Sequence, residues 1–220
     1  MKGLRNRRGA HMARGVFITL EGADGCGKST QAGLLAAAIE ATGRETVRLR
    51  EPGGTKISEK VRAILLDPAN AEMVPECELL LYEASRAQLT REVIAPALER
   101  GAVVLCDRYY DSTYAYQAGG RELDEGLVRR ANELGSCGLS PDRTLVLDLP
   151  ASVGYARATA GGADRMEAEG LAFQERVRAA YLRLAEEEPG RVRVVDASGE
   201  RDEVASRIRG ALADLVGELA

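Results

Sequence analysis

Eight residues, GADGCGKS at positions 22–29, constrain this chain more than any other stretch. They match G-x-x-x-x-G-K-[ST], follow an apolar β-type run (VFITLE, 16–21) and open a helical pattern from Gln31 to Ala41, which is the strand-to-helix setting the motif needs. Gly22, Gly25 and Gly27 allow a turn tight enough to aim backbone N–H groups inward, and the helix adds its positive N-terminal end. Such a loop cradles phosphates, with the Lys28 ammonium assigned to β- and γ-phosphates and the Ser29 hydroxyl to Mg2+. Ala23, Asp24, Cys26 and Thr30 complete the expected cradle. A second oxygen ligand for the metal is expected at the end of a neighbouring buried strand, and the run AVVLCD (102–107) ends in Asp107.

The rest of the chain repeats the same alternation. Apolar runs ETVRLR (45–50), RTLVLDL (143–149) and RVRVVD (191–196) join the two above, and apolar residues at three- and four-residue spacing fill 75–98, 171–185 and 204–219. Strands alternating with helices predict an α/β protein: a three-layer P-loop NTPase-type fold, with a five-stranded parallel sheet covered by helices. With no repeat or low-complexity linker, residues 15–220 are expected to form one domain. The segment MKGLRNRRGAHMAR (1–14) is expected to be a basic tail or an upstream remnant, with Met12 a candidate native start.

Composition removes several classes. A net charge of −4 argues against a constitutive nucleic-acid binder, which needs a basic face. No apolar run approaches the roughly 18 residues of a membrane span. Cys26, Cys77, Cys106 and Cys137 form no C-x-x-C pair and follow no signal peptide, which reads as reduced thiols in a cytoplasmic protein. One histidine, His11 in the tail, leaves no ready Ser-His-Asp triad, His-ligated zinc or imidazole base.

Five segments in order, LEGADGCGKST (20–30), REPGGT (50–55), YEASRAQ (82–88), CDRYYDSTYAYQ (106–117) and DRME (164–167), resemble the thymidylate kinase family of P-loop nucleoside monophosphate kinases. The resemblance implies transfer of the γ-phosphoryl group of MgATP to dTMP. Such a transfer brings two anions together, so positive charge must face the loop. The family pattern assigns Arg62 and Arg108 to the acceptor phosphate, a task suited to bidentate guanidinium groups. It likewise implies that Tyr82 stacks on thymine, that Arg86 reaches a ring carbonyl, and that Thr113 and Gln117 read the imide edge. Tyr116 would crowd a ribose 2′-hydroxyl. By their chemistry alone, the tyrosines of this segment suit core and pocket wall equally.

By the same pattern Asp24 and Glu51 contact the acceptor sugar, the metal or its waters and position the arginines. No general base is required, because the acceptor is already an ionised phosphate. The family places its catalytic arginine either in the loop or in a lid, and Gly25 after Asp24 implies the lid type, at about 155–168. Arg157 and Arg165 are the candidates there, acting with Lys28, Asp24 and Arg108, with a structural or adenine-side role the alternative for Arg165 beside Asp164, and the small-residue stretch ATAGGA (158–163) reads as the lid's mobile part. A kinase for another monophosphate or a nucleoside and a nucleotide-driven switch are the alternatives; REPGG with AYQ argues against the first, and the sequence offers no separate segment that suggests the switch loops or partner surface the second would need. The family is typically homodimeric, although the amphipathic helices between Lys56 and Leu98 would serve equally to cover the chain's own sheet.

Overall fold

The computed structural model describes residues 14–161 and 165–217. His11, Met12 and Asp164 of the DRME segment lie outside them. Five strands, β1 (Val16–Glu21), β2 (Thr46–Arg50), β3 (Val103–Asp107), β4 (Arg143–Asp148) and β5 (Val192–Asp196), pair in parallel in the order β2-β3-β1-β4-β5. Each falls on a predicted run to within a residue at either end.

The central strands β3, β1 and β4 are buried on both faces, whereas the edge strands β2 and β5 leave Arg48, Arg50 and Val194 exposed. Ile18, Leu20, Val103, Leu105, Leu145 and Leu147 pack under α1 (Lys28–Ala41) and α9 (Arg201–Val216), meeting Leu35, Ile39, Ile208 and Leu212. The alternate residues Phe17, Val104 and Cys106 face Leu89, Ile94, Leu98 and Tyr109. Further along that face Val146 joins Phe173, Val177, Tyr181 and Leu184, all four from α8 (Leu171–Glu187). This two-sided burial is what the interior of a parallel sheet demands, and it explains why the three central strands read as continuous apolar runs.

The segment predicted as one helix over 75–98 is α3 (Pro75–Leu89), a π-helical turn (Thr90–Ile94) and α4 (Ala95–Glu99). Pro96 has no N–H to give and its ring crowds the carbonyl one turn earlier, so the hydrogen-bond ladder widens just upstream. The remaining helices are α2 (Lys56–Leu66), α5 (Tyr110–Thr113) running into a second π-helical turn (Tyr114–Gly120), α6 (Glu125–Gly135) and α7 (Ala151–Ala158). The Asp124 side chain caps α6 by accepting from the Leu127 N–H at 2.8 Å. After α7 come one 3-10 turn (Thr159–Gly161) and, once the described chain resumes at Arg165, another (Glu167–Glu169) before α8.

Strand β1 pairs with β3 on one side and β4 on the other, so the chain winds away from it in opposite directions. A crevice therefore opens at the carboxyl ends of β1, β3 and β4, the usual ligand site of such sheets. The Gly22–Ser29 loop leaves β1 there, and Asp107 and Arg108 end β3 beside it. No helix among the described residues is long and apolar enough to cross a membrane.

Candidate active site

Gly22, Gly25 and Gly27 have φ of +135°, +75° and +93°, backbone that other residues rarely adopt. The loop is also close to its neighbours. A Cβ on Gly25 would stand 2.0 Å from the Gly154 carbonyl oxygen, and one on Gly154 would stand 2.5 Å from that of Asp24. Two glycines thus let α7 lie with its backbone against the loop. The buried Lys28 ammonium donates to the carbonyl oxygens of Gly22 (3.0 Å) and Ala23 (2.9 Å), which holds it inside the loop's curve. Ser29 Oγ donates to Asp107 Oδ2 at 2.6 Å.

Gly25, Gly27, Lys28, Ser29 and Asp107 line a cavity of about 360 Å3 that also includes Asp24, Thr30, Arg50, Glu51, Arg62 and Arg108. The Ser29 and Asp107 oxygens fit Mg2+, a hard cation that takes one or two protein oxygens beside substrate phosphates and keeps its waters. No group of three His, Cys, Asp or Glu able to hold a metal occurs among the described residues.

A second cavity of about 230 Å3 adjoins it, walled by Pro52, Leu66, Tyr82, Thr113, Tyr116 and Gln117 and, from the stretch where the described chain resumes, Met166 and Glu167. Asp24, Glu51, Arg62 and Arg108 line both cavities. Cys26 is buried behind the loop.

Arg108 has φ +71°, a strained setting for a residue with a Cβ. Its neighbours hold that turn: Arg108 N–H donates to Leu20 O (3.0 Å) and Tyr109 N–H to Glu21 Oε1 (2.7 Å). The guanidinium so delivered donates to Gly22 O (3.1 Å), Ser112 Oγ (3.1 Å), Tyr116 OH (2.9 Å) and Asp24 Oδ1, and lies over the Tyr116 ring. Asp24 also accepts from Tyr116 OH (2.8 Å) and Gln174 Nε2 (3.1 Å). Burial opposes ionisation of Asp24, but the charges of Arg108 and Lys28 outweigh it and hold the carboxyl below its usual range.

Two buried glutamates behave in the opposite way. Glu21 accepts from Ser112 Oγ and from Tyr181 OH (2.8 Å), and burial together with the Asp111 charge pushes it up to about 7. Glu51 accepts from Arg86 Nε at 2.8 Å through Oε2, while its Oε1 is buried without a hydrogen-bond partner among the described residues. Burial pushes Glu51 up to about 8, the Arg86 charge only partly offsetting it.

Several predicted residues stand elsewhere than on the cavity walls. Arg86 is 1% exposed and lines neither cavity; its donors go to Glu51, Glu83, Asn132 and Thr113 Oγ1 (2.9 Å). It lies one layer behind the wall and orients Glu51 and Thr113. Arg165 also lines neither cavity: it is buried, donates to Leu65 O at 2.8 Å and pairs with Glu78. Arg157 is exposed in the last turn of α7, the helix that lies on the loop. Arg62 donates to Pro52 O at 3.0 Å at the junction of the cavities. Sequence reasoning missed Glu21, Glu78, Ser112, Gln174 and Tyr181, each placed to hold a wall residue. Glu21 alone carried a signal, as an acidic residue closing an apolar strand before a phosphate loop.

A phosphate loop facing a second pocket across shared arginines is what a nucleotide-to-nucleotide kinase requires, and fold and site together define that class. Comparison with known proteins narrows it. The family model described as thymidylate kinase matches residues 20–208. Thymidylate kinase of Trichlorobacter lovleyi is 49% identical over 204 residues, covering 90% of this chain and 96% of the relative. That of Geobacter sulfurreducens is 48% identical over 209 residues, covering 92% and 98%. The crystal structure of thymidylate kinase from Ehrlichia chaffeensis superposes with a TM-score of 0.75 at 31% identity, covering 90% of this chain and 99% of that one. The chain belongs to the thymidylate kinase family.

Proposed function

We propose that this chain transfers the γ-phosphoryl group of MgATP to dTMP, giving dTDP and ADP. The observation that carries the reading is the sharing of Asp24, Glu51, Arg62 and Arg108 between a phosphate-loop cavity and a base-sized one. An acceptor in the second cavity would have its phosphate at that junction, in line with a triphosphate in the first. Lys28 and the loop N–H groups bind the donor phosphates, and Arg62 and Arg108 draw the acceptor phosphate against its own repulsion. Ser29 and Asp107 would hold Mg2+, which when bound would supply charge neutralisation for the donor phosphates. Asp24 keeps Arg108 aimed, since it binds that guanidinium and is itself gripped by Tyr116 and Gln174. Tyr82, Thr113 and Gln117 contact the base, and Tyr116 lies against the sugar. Arg157 reaches the transferring phosphoryl group from the lid, while Arg165 anchors the lid's downstream end.

The same reading includes a homodimer in the cytoplasm, with no nucleic-acid partner. Ile57 and Ile64 of α2, Leu80 of α3 and Leu134 of α6 are exposed apolar residues on three helices packed in series, and Leu134 is 79% exposed. All four cysteines are free, in keeping with a reducing compartment. Light scattering tests the dimer. For the activity, an assay coupled to ADP release with MgATP and dTMP, dUMP, UMP, dCMP, AMP or GMP is expected to give dTMP the highest kcat/KM. A better acceptor among the others overturns the reading.

A further inference from the structure

One buried carboxylate joins the base-side wall to the lid. Glu78, in the first turn of α3, is 0% exposed and accepts at Oε1 from Gln117 Nε2 (2.7 Å) and Arg121 Nε (3.1 Å). Its Oε2 accepts from Arg121 Nη2 (3.0 Å) and from Arg165. Arg121 also pairs with Glu169, so the chain from 165 to 169 is tied to the same carboxylate that holds Gln117. Burial disfavours the charged form of Glu78, yet hydrogen bonds from Arg121 and Gln117 and the arginine charges prevail and keep it ionised.

An ionised carboxylate offers acceptors only, so Gln117 must turn its Nε2 toward Glu78. That leaves the amide carbonyl oxygen as the acceptor Gln117 can offer to the cavity it lines. A fixed acceptor suits a ring N–H, as at N3 of thymine or uracil. A cytosine ring has an unprotonated N3, so two acceptors would face each other. We propose that Glu78 is a positioning residue for specificity: it locks the Gln117 amide in the orientation that accepts keto-imide pyrimidine monophosphates and rejects aminopyrimidine ones. The inference rests on the dTMP kinase reading above and deepens it.

The test compares kcat and KM of the full chain for dTMP and for 5-methyl-dCMP, two nucleotides that differ only at position 4 and in N3 protonation. In the wild type, kcat/KM should favour dTMP by at least about 100-fold, because a site built to bond one hydrogen rejects its isostere strongly. Glu78→Gln can present its own NH2 to the Gln117 carbonyl and release the amide to flip. The preference is then expected to fall at least about tenfold, mainly through the KM values of the two nucleotides. Glu78→Asp, one methylene shorter, keeps a charge for the flexible arginines but withdraws from Gln117, and should shift the preference the same way. A purely structural role would lower melting temperature and total activity and leave the ratio alone. A ratio within twofold of wild type in either variant that melts cooperatively overturns the proposal. Should neither variant fold, a wild-type preference under tenfold overturns it and one above 100-fold supports it. Absence of dTMP turnover by the wild type defeats the kinase reading itself, whereas turnover with an unmoved ratio defeats Glu78 alone.

Discussion

Gly154→Ala adds one methyl group where α7 lies on the phosphate loop. The new Cβ would stand 2.5 Å from the Asp24 carbonyl oxygen, roughly 1 Å short of ordinary contact. Both partners are backbone, one in a helix and one in a loop with its glycines at positive φ, so the strain is relieved by moving α7, the loop or both. Overpacking of this kind costs about 1–3 kcal/mol, and alanine returns up to about 1 kcal/mol of helix propensity, leaving a net destabilisation near 1 kcal/mol. The catalytic consequence is larger. Displacing Asp24 and Lys28 by about 1 Å from the acceptor side is enough to lower rate on the order of 100-fold. Steady-state kinetics beside urea denaturation separate the two effects: kcat/KM should drop about 100-fold while stability changes little. Gly210→Ala is the matched control, a helical glycine whose Cβ meets nothing within 4 Å. It should gain about 0.5–1 kcal/mol and keep full activity. Gly154→Ala with kcat/KM within threefold of wild type refutes the idea that this contact sets the loop.

Three other perturbations probe separate parts of the site. Lys28→Ala should lower kcat/KM at least about 100-fold, measured by ADP release, because the loop loses its one buried cation. Arg157→Ala should lower kcat with little change in thermal melting, whereas Arg165→Ala should lower the melting temperature first, by exposing Glu78 to a lost partner; kcat within about twofold of wild type in both variants defeats a lid arginine. Glu21 is raised from 4.5 to about 7, so its contribution to stability is full below about 4.5 and is lost as pH rises through 7. The stability of wild type relative to Glu21→Gln should accordingly decline by up to about 3 kcal/mol between pH 5 and pH 8 in urea titrations, and a difference independent of pH contradicts the assignment.

The strands and the phosphate loop were readable because their signals are local: apolar runs buried on two faces, and glycines at positive φ around a lysine. The π-helical turns were not, since Thr90–Ile94 and Tyr114–Gly120 keep helical composition and differ only in how the hydrogen-bond ladder closes. Helix α7 escaped notice because ASVGYARA is small and weakly amphipathic, and Gly154 reads as a helix breaker until the loop is seen against it. For Arg86 and Arg165 the family pattern named targets, a ring carbonyl and the transferring phosphoryl group, that sequence alone could not set against the buried carboxylates Glu51 and Glu78 with which they pair. Glu78 and Gln174 lie in helices whose polar residues read as solvated, and only packing from distant segments reveals them as buried.

The most direct test of the whole account follows the phosphoryl group. With γ-labelled ATP, Mg2+ and dTMP, the label should appear in dTDP in equal amount to the ADP formed, and Asp107→Asn should raise the Mg2+ required for that transfer. Label released mainly as inorganic phosphate, at a rate indifferent to dTMP, would contradict it.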